Sequence, residues 1–263
     1  MHATDVGQGP VTLFLHGVGT SSYLWRNVIA ELRGERRCVA VDLPGHGASE
    51  PQDDMSLPAL ADALEEFCAG LDTKVDLVAN DSGGAIAQLF AVKYPGRLRT
   101  LTLTNCDVHE NTPPEAFRGT VELAQQGQLV PLTRSLLDQP EVLAQTAFGP
   151  GYENLNPQEL VDHYLRPIFK SEESALAFER MVAGINAKDM LDIEERLTVL
   201  AVPTLVVWGT DDVFFPLEWA RWLRDTIPGV KEVVEIEGGR LFFPDERAAE
   251  LVPHLRRHFA SYA

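Results

Sequence analysis

Cationic side chains are scarce in this chain of 263 residues: 22 Lys and Arg stand against 39 Asp and Glu, a formal charge of -17. That balance argues against nucleic acid or an anionic membrane as a partner, since both are held by basic patches. Cysteine is scarcer still. Three is an odd number, and Cys38, Cys68 and Cys106 are spread too widely for a disulfide framework, so each reads as a small buried apolar residue. No apolar run reaches the length of a membrane span, and Met1-His2-Ala3-Thr4-Asp5 has neither the basic nor the apolar stretch of a secretory leader. The expectation is a cytoplasmic monomer or homodimer whose partner is a small-molecule substrate. Histidines and aspartates fall at scattered loop ends rather than at metal-ligand spacing. Gly17-Val18-Gly19 lacks the rest of a nucleotide-binding glycine pattern. No metal and no cofactor are expected.

What is present is a soluble-protein composition, 45% hydrophobic and 23% charged, in a chain long enough for one large α/β domain with an insertion. The informative stretch is Leu77-Val78-Ala79-Asn80-Asp81-Ser82-Gly83-Gly84-Ala85-Ile86. Val75 to Ala79 reads as a buried strand, and Gly83 onward as the start of a closely packed helix, so Asp81 falls on the corner. A sharp strand-to-helix turn lifts its apical side chain out of the sheet beside the helix N-terminus, where negative charge is stabilised. Helix capping is the simpler role for such an aspartate, and the surrounding chain decides between the two.

That context resembles the α/β-hydrolase superfamily. Ala79, Asp81 and Gly83 align with the G-x-S-x-G elbow, with a carboxylate where the nucleophilic serine usually stands, as in the haloalkane dehalogenase and epoxide hydrolase branch. Val11 to Leu15 is the first strand worth the name, and it ends in His16-Gly17-Val18-Gly19. The superfamily places this loop after its third strand, so one or two of the usual eight strands should be missing. The resemblance implies an oxyanion hole from the Val18 and Ser82 N–H groups. It gives His16 the task of bracing the loop at the edge of a pocket that also includes Gly17, Asn80 and Trp25. Asp42-Leu43-Pro44-Gly45-His46-Gly47 and Trp208-Gly209-Thr210-Asp211-Asp212 follow in superfamily order, and Asp212 matches the acid that orients the catalytic histidine. The strand Leu98 to Thr104 ends in Asn105-Cys106-Asp107-Val108-His109, so Asp107 or Asn105 could face Asp81, and His109 could approach it. Residues 1–107 and 191–263 would form the mostly parallel, twisted, helix-flanked sheet.

Residues 108–190 lose the strand pattern and read as an inserted helical cap broken by Pro and Gly. In epoxide hydrolases two cap tyrosines protonate the substrate, and Tyr152 and Tyr164 are the candidates for that task. Two departures touch chemistry. Haloalkane dehalogenases hold the leaving halide with an Asn and a Trp at the positions of Val18 and Ser82. The last loop, Gly238-Gly239-Arg240-Leu241-Phe242-Phe243-Pro244, puts Leu241 or Phe242 where the catalytic histidine belongs. An ester on Asp81 would then lack a base to activate water. The leading expectation is hydrolysis of a small, largely apolar alkyl halide, epoxide or ester with Asp81 as nucleophile and another base such as His109; the alternatives are a lyase, cyclase or isomerase using Asp81 as acid or base, and a binding protein that turns nothing over.

Overall fold

The computed structural model describes residues 1–154 and 156–263. Its centre is a seven-stranded sheet in the order β1-β3-β2-β4-β5-β6-β7. Four of its strands, β2 (Val11–Leu15), β4 (Val75–Asp81), β5 (Leu98–Cys106) and β6 (Thr204–Gly209), are almost entirely buried. They form the middle of the sheet with β3 (Arg37–Val41) beside β2, and all pairings among them are parallel. Burial on both faces is why β2, β4 and β6 read as largely apolar runs; β5 alternates Leu and Thr, and its threonines are buried as well. β7 (Val230–Ile236) closes one edge in parallel with β6. β1 (Ala3–Val6) closes the other, antiparallel to β3. Val11–Leu15 is therefore the second strand of the seven that the described residues form. β1 escaped the sequence reading because it is a polar edge strand, partly or fully exposed along its length.

Helices α1 (Arg26–Leu32), α2 (Leu57–Ala69) and α3 (Ser82–Lys93) cover the first half of the sheet. In α2 the Ser56 hydroxyl accepts the Ala59 N–H, Pro58 sits in the first turn, and Leu57, Leu60, Ala61, Leu64 and Cys68 face inward, as the pattern predicts. α3 is buried almost all round. Its small leading residues let it press close: a β-carbon on Gly84 would lie 2.6 Å from the Cys106 sulfur. Because the strand order reverses about β2, the ends of β2 and β4 flank a switch point, the usual ligand crevice in such sheets.

Between Cys106 and Thr204 the chain is helical. α4 (Arg118–Gln125), α5 (Leu129–Leu136) and α6 (Pro140–Phe148) lead the insertion, and a longer helix, Glu172–Gly184, lies near its end. A polar cluster ties this segment to the sheet domain. The Tyr23 hydroxyl donates to Glu159 at 2.7 Å, and Arg26 bridges Glu159 and Asp245. Among the described residues no helix is long and apolar enough to cross a membrane.

β4 carries a charge at each end. Asp76, at its start, is fully buried and held by Arg36, by Arg99 (Nε to Oδ1, 2.9 Å) and by the Thr100 hydroxyl at 2.8 Å. Asp76→Ala would leave two partly buried guanidinium groups unpaired, and a stability loss of roughly 3–5 kcal/mol is expected. Denaturant unfolding measures it.

Candidate active site

Asp81, at the far end of β4, adopts φ 57° and ψ -140°. A non-glycine residue pays of order 1–3 kcal/mol for such a conformation. The glycines around it are fixed by contact: a β-carbon on Gly17 would lie 2.3 Å from the Asp81 carboxylate, and one on Gly83 would lie 2.3 Å from the His16 carbonyl. The corner thus lifts the Asp81 side chain over Gly17 and into a cavity of about 50 Å³. Val18, Asp107, Leu241 and Phe242 also line it, and the remaining walls are apolar, including Phe117, Phe148, Phe214 and Phe215. Those phenylalanines, and Ile185 and Pro114 beside them, were not identified from the sequence; the aromatic pair following Asp212 was the available signal.

Two carboxyl groups, those of Asp81 and Asp107, line this cavity, the charge of a third, Asp212, acts on Asp81, and among the described residues no cation lines it. Burial pushes the Asp81 pKa up to about 7, against the pull of the Ser82 N–H, and the Asp212 charge adds to the rise. Asp212 is likewise pushed up to about 7 by burial, although the Phe214 N–H and the Asn105 amide, 2.7 Å from its Oδ2, favour the charged form. Asp107 rises well above the carboxylate range through burial and the nearby Asp81 charge, and its Oδ1 has no hydrogen-bond partner. Asp211, by contrast, is exposed. Asn105 is spent on Asp212 and on the Gly209 backbone, to which it both donates and accepts.

Several expected pocket residues lie elsewhere. His109 adopts φ 50° and turns its ring against Trp222, centroids 4.8 Å apart, with Nε2 3.3 Å from Glu194. It does not line the cavity, and neither does any of the other six histidines. His16 is fully buried and its pKa is lowered by desolvation; its Nε2 accepts the Leu43 N–H at 2.9 Å while Nδ1 faces the Gly17 carbonyl at 2.8 Å, so it fastens two loops. Asn80 does the same for the last loop, donating to the Leu241 carbonyl at 3.0 Å. Trp25 is buried against Phe14, centroids 5.3 Å apart, away from the cavity. Gly17 lies beneath Asp81 as a spacing residue. The hydroxyls of Tyr152 and Tyr164 pair at 3.0 Å, and that of Tyr152 also reaches Asp245 at 3.2 Å, so both serve the cluster that joins insertion to sheet.

The oxyanion loop departs from expectation in a way that matters for chemistry. The Val18 N–H donates to the Ser82 hydroxyl oxygen at 2.8 Å, and the Ser82 N–H faces the Asp81 carboxylate. The Val18 donor assigned to the hole is thus taken up inside the protein. The Ser82 side chain, whose role was not foreseen, is its acceptor. Among the described residues no group of three or more His, Cys, Asp or Glu is arranged to hold a metal ion.

A strand-to-helix corner bearing a buried acid, above a mostly parallel sheet with helices inserted over its active end, defines the class of α/β enzyme-like folds. The comparisons narrow this: residues 10–247 match the alpha/beta hydrolase fold family, and the chain belongs to it. The cis-3-alkyl-4-alkyloxetan-2-one decarboxylase of Shewanella oneidensis is 27% identical, over 98% of this chain and 84% of its own. A haloalkane dehalogenase of Agrobacterium fabrum is 34% identical but over only 49% of this chain and 44% of its own. A thermophilic esterase from Thermogutta terrifontis superposes with a TM-score of 0.78 at 25% identity, covering 99% of this chain and 93% of the other.

Two outcomes are expected. Ser82→Ala leaves the Val18 N–H without its acceptor and costs about 1–3 kcal/mol of stability in denaturant unfolding. A carboxyl whose pKa is raised on folding keeps its proton while the unfolded chain loses it, so stability falls as pH rises from about 4 to about 7. Asp81→Asn therefore stabilises the protein at about pH 8, by at most about 4 kcal/mol, and much less at about pH 4. A gain that is equal at the two pH values would contradict the raised pKa.

Proposed function

We propose that this chain is a cofactor-independent enzyme in which Asp81 acts on an apolar substrate by a non-hydrolytic route: elimination, decarboxylation, cyclisation or isomerisation. The observation that carries the reading is the set of carboxyl groups gathered in an apolar cavity with no imidazole lining it. A carboxyl with a pKa near 7 divides between acid and base at neutral pH, the condition that suits it to give or take a proton. Asp107, with an oxygen free of partners, is the natural second carboxyl, and Asp212 supports the raised pKa of Asp81. The helical insertion acts as the cap that keeps water from the site. The decarboxylase relative adds support, because loss of carbon dioxide from a four-membered lactone consumes no water.

The second reading is hydrolysis through an ester on Asp81, with an alkyl halide, epoxide or carboxylic ester as substrate. The dehalogenase and esterase likenesses favour it. It requires a group that activates water, and His109 faces Trp222 and Glu194 instead. The occupied Val18 N–H also weighs against an oxyanion hole of the usual kind.

The test is product analysis with intact-protein mass spectrometry on a panel of alkyl halides, haloacids, epoxides, activated esters and β-lactones. Water-free products that vanish in Asp81→Ala are the expected result. Repeated turnover to hydrolysed product would overturn the non-hydrolytic reading. An alkyl adduct that accumulates on the wild type and is absent from Asp81→Ala would make Asp81 a nucleophile without a base. Neither product nor adduct from any compound would favour a binding protein.

A further inference from the structure

The Asp81 cavity adjoins a larger one. Val18, Phe117, Ala147, Phe148 and Phe214 line both it and an outer cleft of about 210 Å³ set among α4, α5 and α6. The outer walls are leucines from the three helices and beyond, Leu123, Leu129, Leu132, Leu136, Leu143 and Leu165, and no charged residue lines them. The polar side chains present are threonines, and one of these, Thr146, turns its hydroxyl back to the Val142 carbonyl at 2.8 Å. Leu132, 44% exposed, stands at the open end.

We propose that this cleft binds an unbranched aliphatic chain whose reactive end lies at Asp81. The proposal rests on the reading of Asp81 as the acting group, and it extends the substrate from a small apolar molecule to one with a long tail. Leucine walls without charge give a polar or ionic ligand nothing in exchange for its lost hydration, whereas each methylene transferred from water tightens binding by about fourfold. The inner space is about a quarter the size of the outer one, so the slim head of the ligand reaches the acid while its bulk stays among the helices. The five shared residues form the boundary that the ligand crosses.

Binding of a series of straight-chain primary alcohols, from butanol to decanol, is measured by calorimetry on the full chain and on Asp81→Asn. The dissociation constant is expected to fall about fourfold per added methylene and then to level off once the cleft is full, in both proteins. A long-chain alcohol carrying a diazirine at its tail is expected to label peptides from α4, α5 and α6. Affinity that does not change with length, or label confined to other segments, overturns the proposal, and a cleft covered by a second copy of the chain would give that result. The two readings fail separately. Turnover retained in Asp81→Asn with length dependence intact would sink the role of Asp81 and leave the cleft assignment standing; length-independent binding with turnover lost in Asp81→Asn would do the reverse.

Discussion

Everything at the site depends on holding one carboxyl group, that of Asp81, in an apolar enclosure without a counter-charge. The backbone corner that carries it occupies a conformation open to few L-residues, and the neighbours have been cut back to make it fit. Gly17 leaves room beneath the carboxylate, and Gly83 lets the helix start against the preceding loop. The loops that would otherwise move are fastened by neutral imidazoles: His16 accepts from Leu43, and His46, its pKa pushed down to about 3 by burial, accepts from Gly19. The histidines near the corner serve to brace it.

The two ends of β4 make the contrast plain. Asp76 and Asp81 lie five positions apart on one strand, and both are buried. At Asp76 two arginines and a threonine meet the charge, so it is a cross-brace of the sheet. At Asp81 burial drives the pKa up and the Asp212 charge adds to the rise, with only the Ser82 N–H pulling the other way. A strand that can satisfy an acid at one end and leaves it unsatisfied at the other has spent stability at that end, and chemistry is the usual reason for such an expense.

The frame was legible in the sequence because its signals are local. Buried parallel strands give largely apolar runs, and the corner at Asp81, the loop at His16 and the turn at Asp212 each declare themselves in a few consecutive residues. Leu241 and Phe242, which the sequence places at the pocket, line the cavity. What could not be read was direction. Tyr152 and Tyr164 are in the helical segment as expected, but their hydroxyls are turned to each other, and that of Tyr152 also to Asp245. His109 follows the right strand, yet positive φ and two tryptophans aim it outward. Ser82 was valued for its N–H, while its hydroxyl proved to be the part that reaches Val18. Side-chain orientation is set by neighbours far along the chain, and β1 was hidden for a related reason: a polar edge strand is recognisable only beside the strand it pairs with.

The insertion leaves the sheet at the end of β5 and returns at the start of β6, and these two strands are direct neighbours paired from Leu101 with Thr204 to Thr104 with Val207. Because these strands are parallel, the segment leaves at one end of their ladder and returns at the other, so the helices form a long crossover connection between two neighbouring strands. The cost of closing a loop rises only slowly with its length. Helices can therefore be added, trimmed or replaced between those strands with little consequence for the pairing that holds Asp81 in place. If the segment is the cap proposed above, changes in it alter which molecules reach the acid without altering the corner that bears it.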